Sequence, residues 1–366
     1  MNKTLNYITY QTFPANTANS LQTAKQLDAL VKRGLEVNLI FPLREKTSSD
    51  NLIDYKKKYS VSENISLQGT GHPYPFGKLK IIEPLLYHIS QFLWARKITK
   101  SYKFEDEKDN FFMTRSDWIL YFLAKKNLNI IFECHQYSKL RNWIFSKVGT
   151  KNNVKVVFLN TYIYESFNAT INNKLLLHSS VDLSEFPEKI NHLNKKKKVI
   201  FLGNLLRFGK SRGIDSLINS FNDETLSEYE LIIAGGPDKV ADELRSINTQ
   251  SNIKILGAIE RKDVIKHLCE AEIGILMNSN DTHSQQYTSP LKYFEYLASE
   301  LKIVGTNFPS HKELPYSEHM EFFEFGNDNS LKEALKASVA KDFLEIDKQS
   351  ISTETRAKKI IDFFNS

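Results

Sequence analysis

Cysteine is scarce in this 366-residue chain: Cys134 and Cys269 are the only two. They stand far apart, with no second Cys or His beside them at metal-ligand spacing, so they read as buried free thiols. Long apolar runs are also missing. None approaches the ~18 consecutive residues of a membrane-spanning helix. The opening MNKTLNYITYQTF lacks the apolar core and small-residue cleavage site of a secretory signal. A cytoplasmic protein is therefore expected, meeting a membrane only from that side. With 14 Gly and 10 Pro, and with 41% apolar and 25% charged residues, the chain is neither collagen-like nor largely disordered. At roughly 150 residues per domain, two domains are expected.

Positive charge is unevenly spread. Residues 1–170 hold 24 Lys+Arg against 14 Asp+Glu, whereas residues 171–366 hold 25 against 29. The first half is thus suited to face something anionic. No nucleic-acid readout module accompanies these cations, so a nucleic-acid partner is not expected.

Apolar patterning gives alternating strands and helices throughout. The expected strands of the first half are Leu5–Tyr10, Glu36–Phe41, Asn64–Gln68, Phe111–Thr114, Asn129–Glu133, Val154–Leu159 and Leu175–Ser179. Between the first two, Leu21, Ala24, Leu27 and Val31 mark a helix capped by Asn19 or Ser20 and ended by Gly34. A longer helix is expected at Ile81–Lys100. Lys78, Lys80, Arg96, Lys97, Lys100 and Lys103 lie around its Trp94 and leucines, a pattern suited to an anionic membrane surface. The second half repeats the alternation with strands Val199–Leu202, Glu230–Ala234, Ile253–Leu256, Ile273–Met277 and Lys302–Gly305. An amphipathic helix at Ile351–Phe364 ends the chain. The segment around 183–197, with four consecutive lysines, has no apolar period and reads as a linker. The expectation is two doubly wound, Rossmann-like parallel-sheet domains, with ligands at the carboxyl ends of the strands.

Three motifs would enter such a crevice. In Phe201–Gly213 a strand leads into a loop with Gly203, Asn204 and the cations Arg207, Lys210 and Arg212 ahead of a helix. Cations and open backbone N–H groups suit a phosphate. The Gly-Lys-Ser at 209–211 lacks the earlier glycine of a Walker loop. In Gln285–Ser299, Thr288 or Ser289 caps a helix with Pro290 first and Leu291 next, and Glu295 lies further along, able to hold a diol. In Ile130–Tyr137, an apolar strand ends in Glu133, Cys134 and His135, and a histidine there can bond a sugar hydroxyl or serve the structure alone.

Taken together, these features resemble family 4 glycosyltransferases of the GT-B fold. The opening strand–loop–helix, the Glu133–His135 strand end, SSVDLSEF at 179–186, LIIAGGP at 231–237 and the two second-half motifs carry that resemblance over nearly the whole chain. It implies a retaining transfer from a nucleotide-diphosphate sugar to a glycan or lipid-linked acceptor, in cell-surface polysaccharide or glycolipid synthesis, with no metal or other cofactor. Residues 1–182 would bind the acceptor, 183–197 link the domains, and 198–350 bind the donor across an interdomain cleft. Residues 351–366 would pack back on the first domain. Lys210 and Arg212, with Arg207, would carry the diphosphate. Thr288–Leu291 would offer backbone N–H groups, Glu295 would hold the ribose and His135 would contact the donor sugar. Asn16, Thr17 and Arg115 would meet the acceptor. The sequence departs from the family pattern at Tyr287, where an earlier Glu is usual, at Asn204, where Arg is usual, and at Asn16–Asn19, where Gly-Gly is usual. A catalytically silent nucleotide-sugar or glycan-binding partner, or an epimerase of the same fold, is the alternative.

Overall fold

The computed structural model describes residues 3–63, 65–74, 83–101, 110–192, 195–207, 209–343 and 345–366. The chain divides into two compact units, Met1–Leu177 with Thr353–Ser366, and His178–Ser352.

The first unit runs β1 (Thr4–Ile8), α1 (Ala18–Lys32), β2 (Glu36–Leu43), α2 (Leu52–Tyr59), β3 (Ser66–Gly71), α3 (Glu83–Ser101), β4 (Phe111–Thr114), α4 (Asp117–Lys125), β5 (Ile130–Cys134), α5 (Lys139–Val148), β6 (Val154–Phe158), α6 (Thr161–Ser166) and β7 (Asn173–Leu176). Its seven strands form one parallel sheet in the order β3-β2-β1-β4-β5-β6-β7. Every residue of β4 and β5 is buried, as for strands covered on both faces. The winding reverses between β1 and β4, so the loops after these strands flank the place where such sheets bind ligands.

Several local expectations are corrected. Thr17 caps α1, because its extended backbone lets Oγ1 accept from Ser20 N at 3.2 Å, while Asn19 and Ser20 lie inside the helix. Helix α2 was not foreseen; three consecutive lysines hide its period, and it is started by Asn51, which accepts from Ile53 N and Asp54 N. Trp94 was expected with the leucines on the membrane-facing side of α3, yet it is fully buried and its Nε1 donates to Thr70 Oγ1 at 2.9 Å. The face α3 leaves exposed carries Leu85, Ile89 and Leu93, then Arg96, Lys97 and Lys100. Lys78, Lys80, Ile81, Ile82 and Lys103 lie outside the described residues. Cys134 is buried, but Cys269 only partly so. The helix at Thr353–Asn365 belongs to the first unit and packs on α1, with Ala357 and Ile360 in the shared core.

The second unit runs β8 (Lys198–Leu202), β9 (Leu206–Arg207), β10 (Lys210–Ser211), α7 (Ile214–Ser220), β11 (Glu230–Ala234), α8 (Asp238–Ile247), β12 (Ile253–Gly257), α9 (Arg261–Glu270), β13 (Ile273–Leu276), α10 (Thr282–Gln286), α11 (Leu291–Ala298), β14 (Lys302–Thr306), α12 (Pro309–Lys312), β15 (Glu321–Phe323) and α13 (Asp328–Val339), before α14, the Thr353–Asn365 helix, returns to the first unit. Its main sheet is parallel in the order β12-β11-β8-β13-β14-β15. The described residues of the segment 183–197 belong to this unit. Leu183–Glu185 forms a 3-10 turn, and Lys195 Nζ donates to Ala271 O and Ser299 O at 2.7 and 3.0 Å.

The loops after β8 and β11 meet through their backbones, with Leu205 N donating to Gly236 O at 2.8 Å. Gly235 has φ +150°, and a Cβ there would sit 1.9 Å from Gly203 O. Gly235→Ala must push the two loops apart, at a cost of about 1–3 kcal/mol. A fall in the melting temperature of the full chain is the expected result, and an unchanged melting curve would contradict the contact.

Candidate functional site

In the second sheet the winding reverses between β8 and β13, so their carboxyl ends flank the place where such sheets bind ligands. Tyr296, fully buried on α11, ties those ends together. Its hydroxyl accepts from Leu202 N at 3.2 Å and donates to Ile275 O at 3.1 Å. Gly203 follows β8 at φ +125°. A methyl group on it would lie 3.2 Å from Lys292 Nζ and 3.7 Å from Arg212 Nη1. Lys292 Nζ also reaches Met277 O, just past β13, at 3.5 Å, and lies 4.5 Å over the Phe201 ring. Two cations therefore converge where the backbone is bare. A diphosphate could approach Gly203 closely there and accept from both.

Sequence reasoning had Arg212 and Gly203 but not Lys292. One signal was available: Lys292 is the second residue of α11, where a cation opposes the helix dipole unless an anion compensates it. The loop read as carrying three cations folds as an antiparallel hairpin of β9 and β10. The side chains of Arg207 and Lys210 lie outside the described residues. Asn204 is exposed.

The expected cap of α11 is corrected. Pro290 itself is the N-cap and Leu291 the first helical residue; no side chain caps the helix. Thr288 is buried and turns inward, Oγ1 donating to Ser284 O at 3.1 Å and pairing with Ser310 Oγ. Ser289 is taken by Ser179, whose N donates to Ser289 Oγ at 2.9 Å and whose Oγ donates to Ser289 O at 2.8 Å. Tyr287 ends α10 and is partly buried, its ring near His283. Glu295, one turn along α11, is held by Arg261.

In the first unit, His135 directly follows β5. Its Nε2 is out of reach of solvent and has no hydrogen-bond partner among the described residues. Burial first, and then the nearby Arg115 charge, push its pKa well below the usual histidine range, so the ring is neutral at pH 7. Beside it, Glu133 is wholly buried. Arg115 Nε donates to its Oε2 and Arg356 Nη2, from α14, to its Oε1, both at 2.8 Å. Arg356 also donates to Gln26. Burial alone would raise the Glu133 pKa; the two guanidinium groups outweigh it and hold it well below the usual carboxylate range.

Arg115 Nη1 reaches Asn19 O at 3.5 Å, bringing Arg115 to the first turn of α1. Asn16 and Thr17 line a polar pocket of about 600 Å³ with Gln11, Asn19, Arg44 and Glu45. Thr17 Oγ1 is occupied with capping, so its side chain does a structural task there. Among the described residues no group of three or more His, Cys, Asp or Glu could hold a metal ion.

Residues 196–340 match the family described as glycosyl transferases group 1. Among curated proteins no sequence matches the chain. Solved structures resemble it along its whole length. A Staphylococcus aureus TarM mutant in complex with fondaparinux, alpha-GlcNAc-glycerol and UDP is 13% identical with TM-score 0.68, covering 100% of both chains. A glycosyltransferase from Rickettsia africae is 14% identical with TM-score 0.63, covering 99% of this chain and 94% of the other. Anabaena HepE in complex with UDP-glucose is 10% identical with TM-score 0.60, covering 99% and 97%. The chain thus has the GT-B fold, with two parallel-sheet α/β units.

Proposed function

We propose that this protein is a retaining glycosyltransferase, moving a sugar from a nucleotide-diphosphate donor to a glycan or lipid-linked acceptor in the making of cell-surface polysaccharide or glycolipid. The observation that carries the reading is the convergence of Arg212 and Lys292 on bare Gly203 at the switch point of the second sheet. As the bond from the anomeric carbon to the phosphate oxygen breaks, negative charge grows on the diphosphate, and these two cations stabilise it without a metal. The acceptor hydroxyl attacks from the face the diphosphate leaves and gives its proton to that diphosphate. Glu295 holds the ribose, and neutral His135 bonds a hydroxyl of the donor sugar. Asn16 and Arg115 meet the acceptor, and Thr17 holds the start of α1 beside them. The match over residues 196–340 and the UDP-bound solved structures support this reading.

Free nucleotide released from UDP-, GDP- and ADP-sugars tests it. Slow release that is lost in Glu295→Ala is expected. Tyr287 and Asn204, which depart from the family pattern, favour a silent binding protein instead, and binding without any release would select that reading. Sugar interconversion without release would select an epimerase.

The exposed face of α3 fits an anionic lipid surface on the cytoplasmic side, with Leu85, Ile89 and Leu93 reaching the acyl boundary and Arg96, Lys97 and Lys100 the headgroups. No helix among the described residues is long and apolar enough to cross a membrane. Sedimentation with vesicles containing phosphatidylglycerol should exceed that with phosphatidylcholine alone, and Leu85→Ser with Ile89→Ser should remove the difference. Equal sedimentation with both lipids would dismiss the docking.

A further inference from the structure

Arg261, the first residue of α9, lies between two carboxylates of its own unit. Its Nε and Nη2 both donate to Glu185 Oε2, at 3.0 and 2.6 Å, and its Nη1 donates to Glu295 Oε1. Glu295 has no other side-chain partner among the described residues. An ionised carboxylate offers about four acceptor positions, and the guanidinium uses one. The others remain for a pair of neighbouring hydroxyls, so Arg261 need not leave when a ligand arrives.

The anchor at the far end is firm. Glu185 ends the 3-10 turn Leu183–Glu185, which Asp182 starts by accepting from Ser184 N at 3.1 Å. Val181 N donates to Ile351 O at 3.1 Å, and Val181 and Phe186 are buried in the core beneath α11 with Tyr293, Phe294 and Leu297. Both carboxylate side chains are largely shielded, 13% exposed for Glu185 and 15% for Glu295, so the pairs are screened less than surface ones. Two contacts to Glu185 fix the plane of the guanidinium fork, and the fork then fixes one oxygen of Glu295. Without it, a glutamate on a helix turns among its rotamers.

We propose that Arg261, anchored by Glu185, is a positioning residue that aims the Glu295 carboxylate at the cis-diol of the donor's ribose, and that this relay sets the preference for ribo- over 2′-deoxyribonucleotides. The proposal rests on the reading of Glu295 as the ribose-binding carboxylate. Losing one hydrogen bond to a charged group is worth about 1.5–3 kcal/mol, or roughly 10- to 150-fold in affinity.

The test is calorimetric titration of the full chain with UDP, GDP and ADP, each against its 2′-deoxy counterpart. The wild type should prefer at least one ribonucleotide by roughly 10- to 150-fold. In Arg261→Gln and in Glu185→Gln that ratio should shrink several-fold, chiefly through weaker ribonucleotide binding. A merely structural role would weaken both members of a pair alike and leave the ratio unmoved, and that result overturns the proposal. Should Arg261→Gln not fold, Glu185→Gln and Arg261→Lys carry the test, since Lys keeps the charge but not the fork. If Glu295→Gln loses the preference while the Arg261 and Glu185 variants keep it, the relay is wrong and the ribose reading stands. If Glu295→Gln keeps the preference, or no nucleotide binds the wild type, the ribose reading falls and the relay with it.

Discussion

Alanine at Lys292 should lower the rate of nucleotide release at saturating donor by about 100-fold or more, and alanine at Arg212 should do the same. Both cations point at the same patch of bare backbone, 3.2 and 3.7 Å from where a Gly203 side chain would begin. Their attraction for the diphosphate is strongest once the glycosidic oxygen has taken up the bonding electrons, so the loss should fall on kcat and not only on donor KM. Lys292→Arg should recover part of the rate, because charge remains. The double variant should lose less than the product of the single losses, since the two groups share one anion. Steady-state release of free nucleotide measures all of this. A Lys292→Ala enzyme within about threefold of wild type would remove Lys292 from the chemistry.

Glu133→Gln should destabilise the first unit by about 3–5 kcal/mol, because it leaves two buried guanidinium groups facing a neutral amide. For a unit of this size the melting temperature should fall by roughly 6–20 °C. The sign with pH follows from the depressed carboxylate pKa. The stabilisation is complete above the ordinary glutamate range, near pH 4.3, and is lost as pH falls toward the lower folded value. The wild type should therefore lose stability progressively on acidification below about pH 4, and Glu133→Gln should be flatter over that range. Thermal melts of the full chain between pH 3 and pH 7 measure it. A melting temperature within about 2 °C of wild type at pH 7 would show that the pair does not hold this unit together.

The alternation of strands and helices was readable because short apolar runs bounded by turn signals, such as Ile130–Phe132 and Leu231–Ala234, suit strands covered on both faces. The strand ends were readable too, and with them Gly203 and His135. What escaped was whatever depends on register in space. Lys292 reaches Gly203 only because β13 pairs with β8, a neighbour relation no local window contains. Trp94 sits among basic residues in the sequence, but helical rotation turns it inward toward Thr70. Arg261 looks like one more surface cation at the start of a helix until Glu185 and Glu295, from distant parts of the unit, close on either side of it.

Since α14 completes the first unit, that unit is not whole until the ribosome has made Thr353–Ser366. During synthesis the second unit has its full sequence earlier, and Glu133 lacks its Arg356 partner until that residue emerges. The first unit, begun before the second, is thus completed after it, by a helix that reaches back across the whole second unit in sequence.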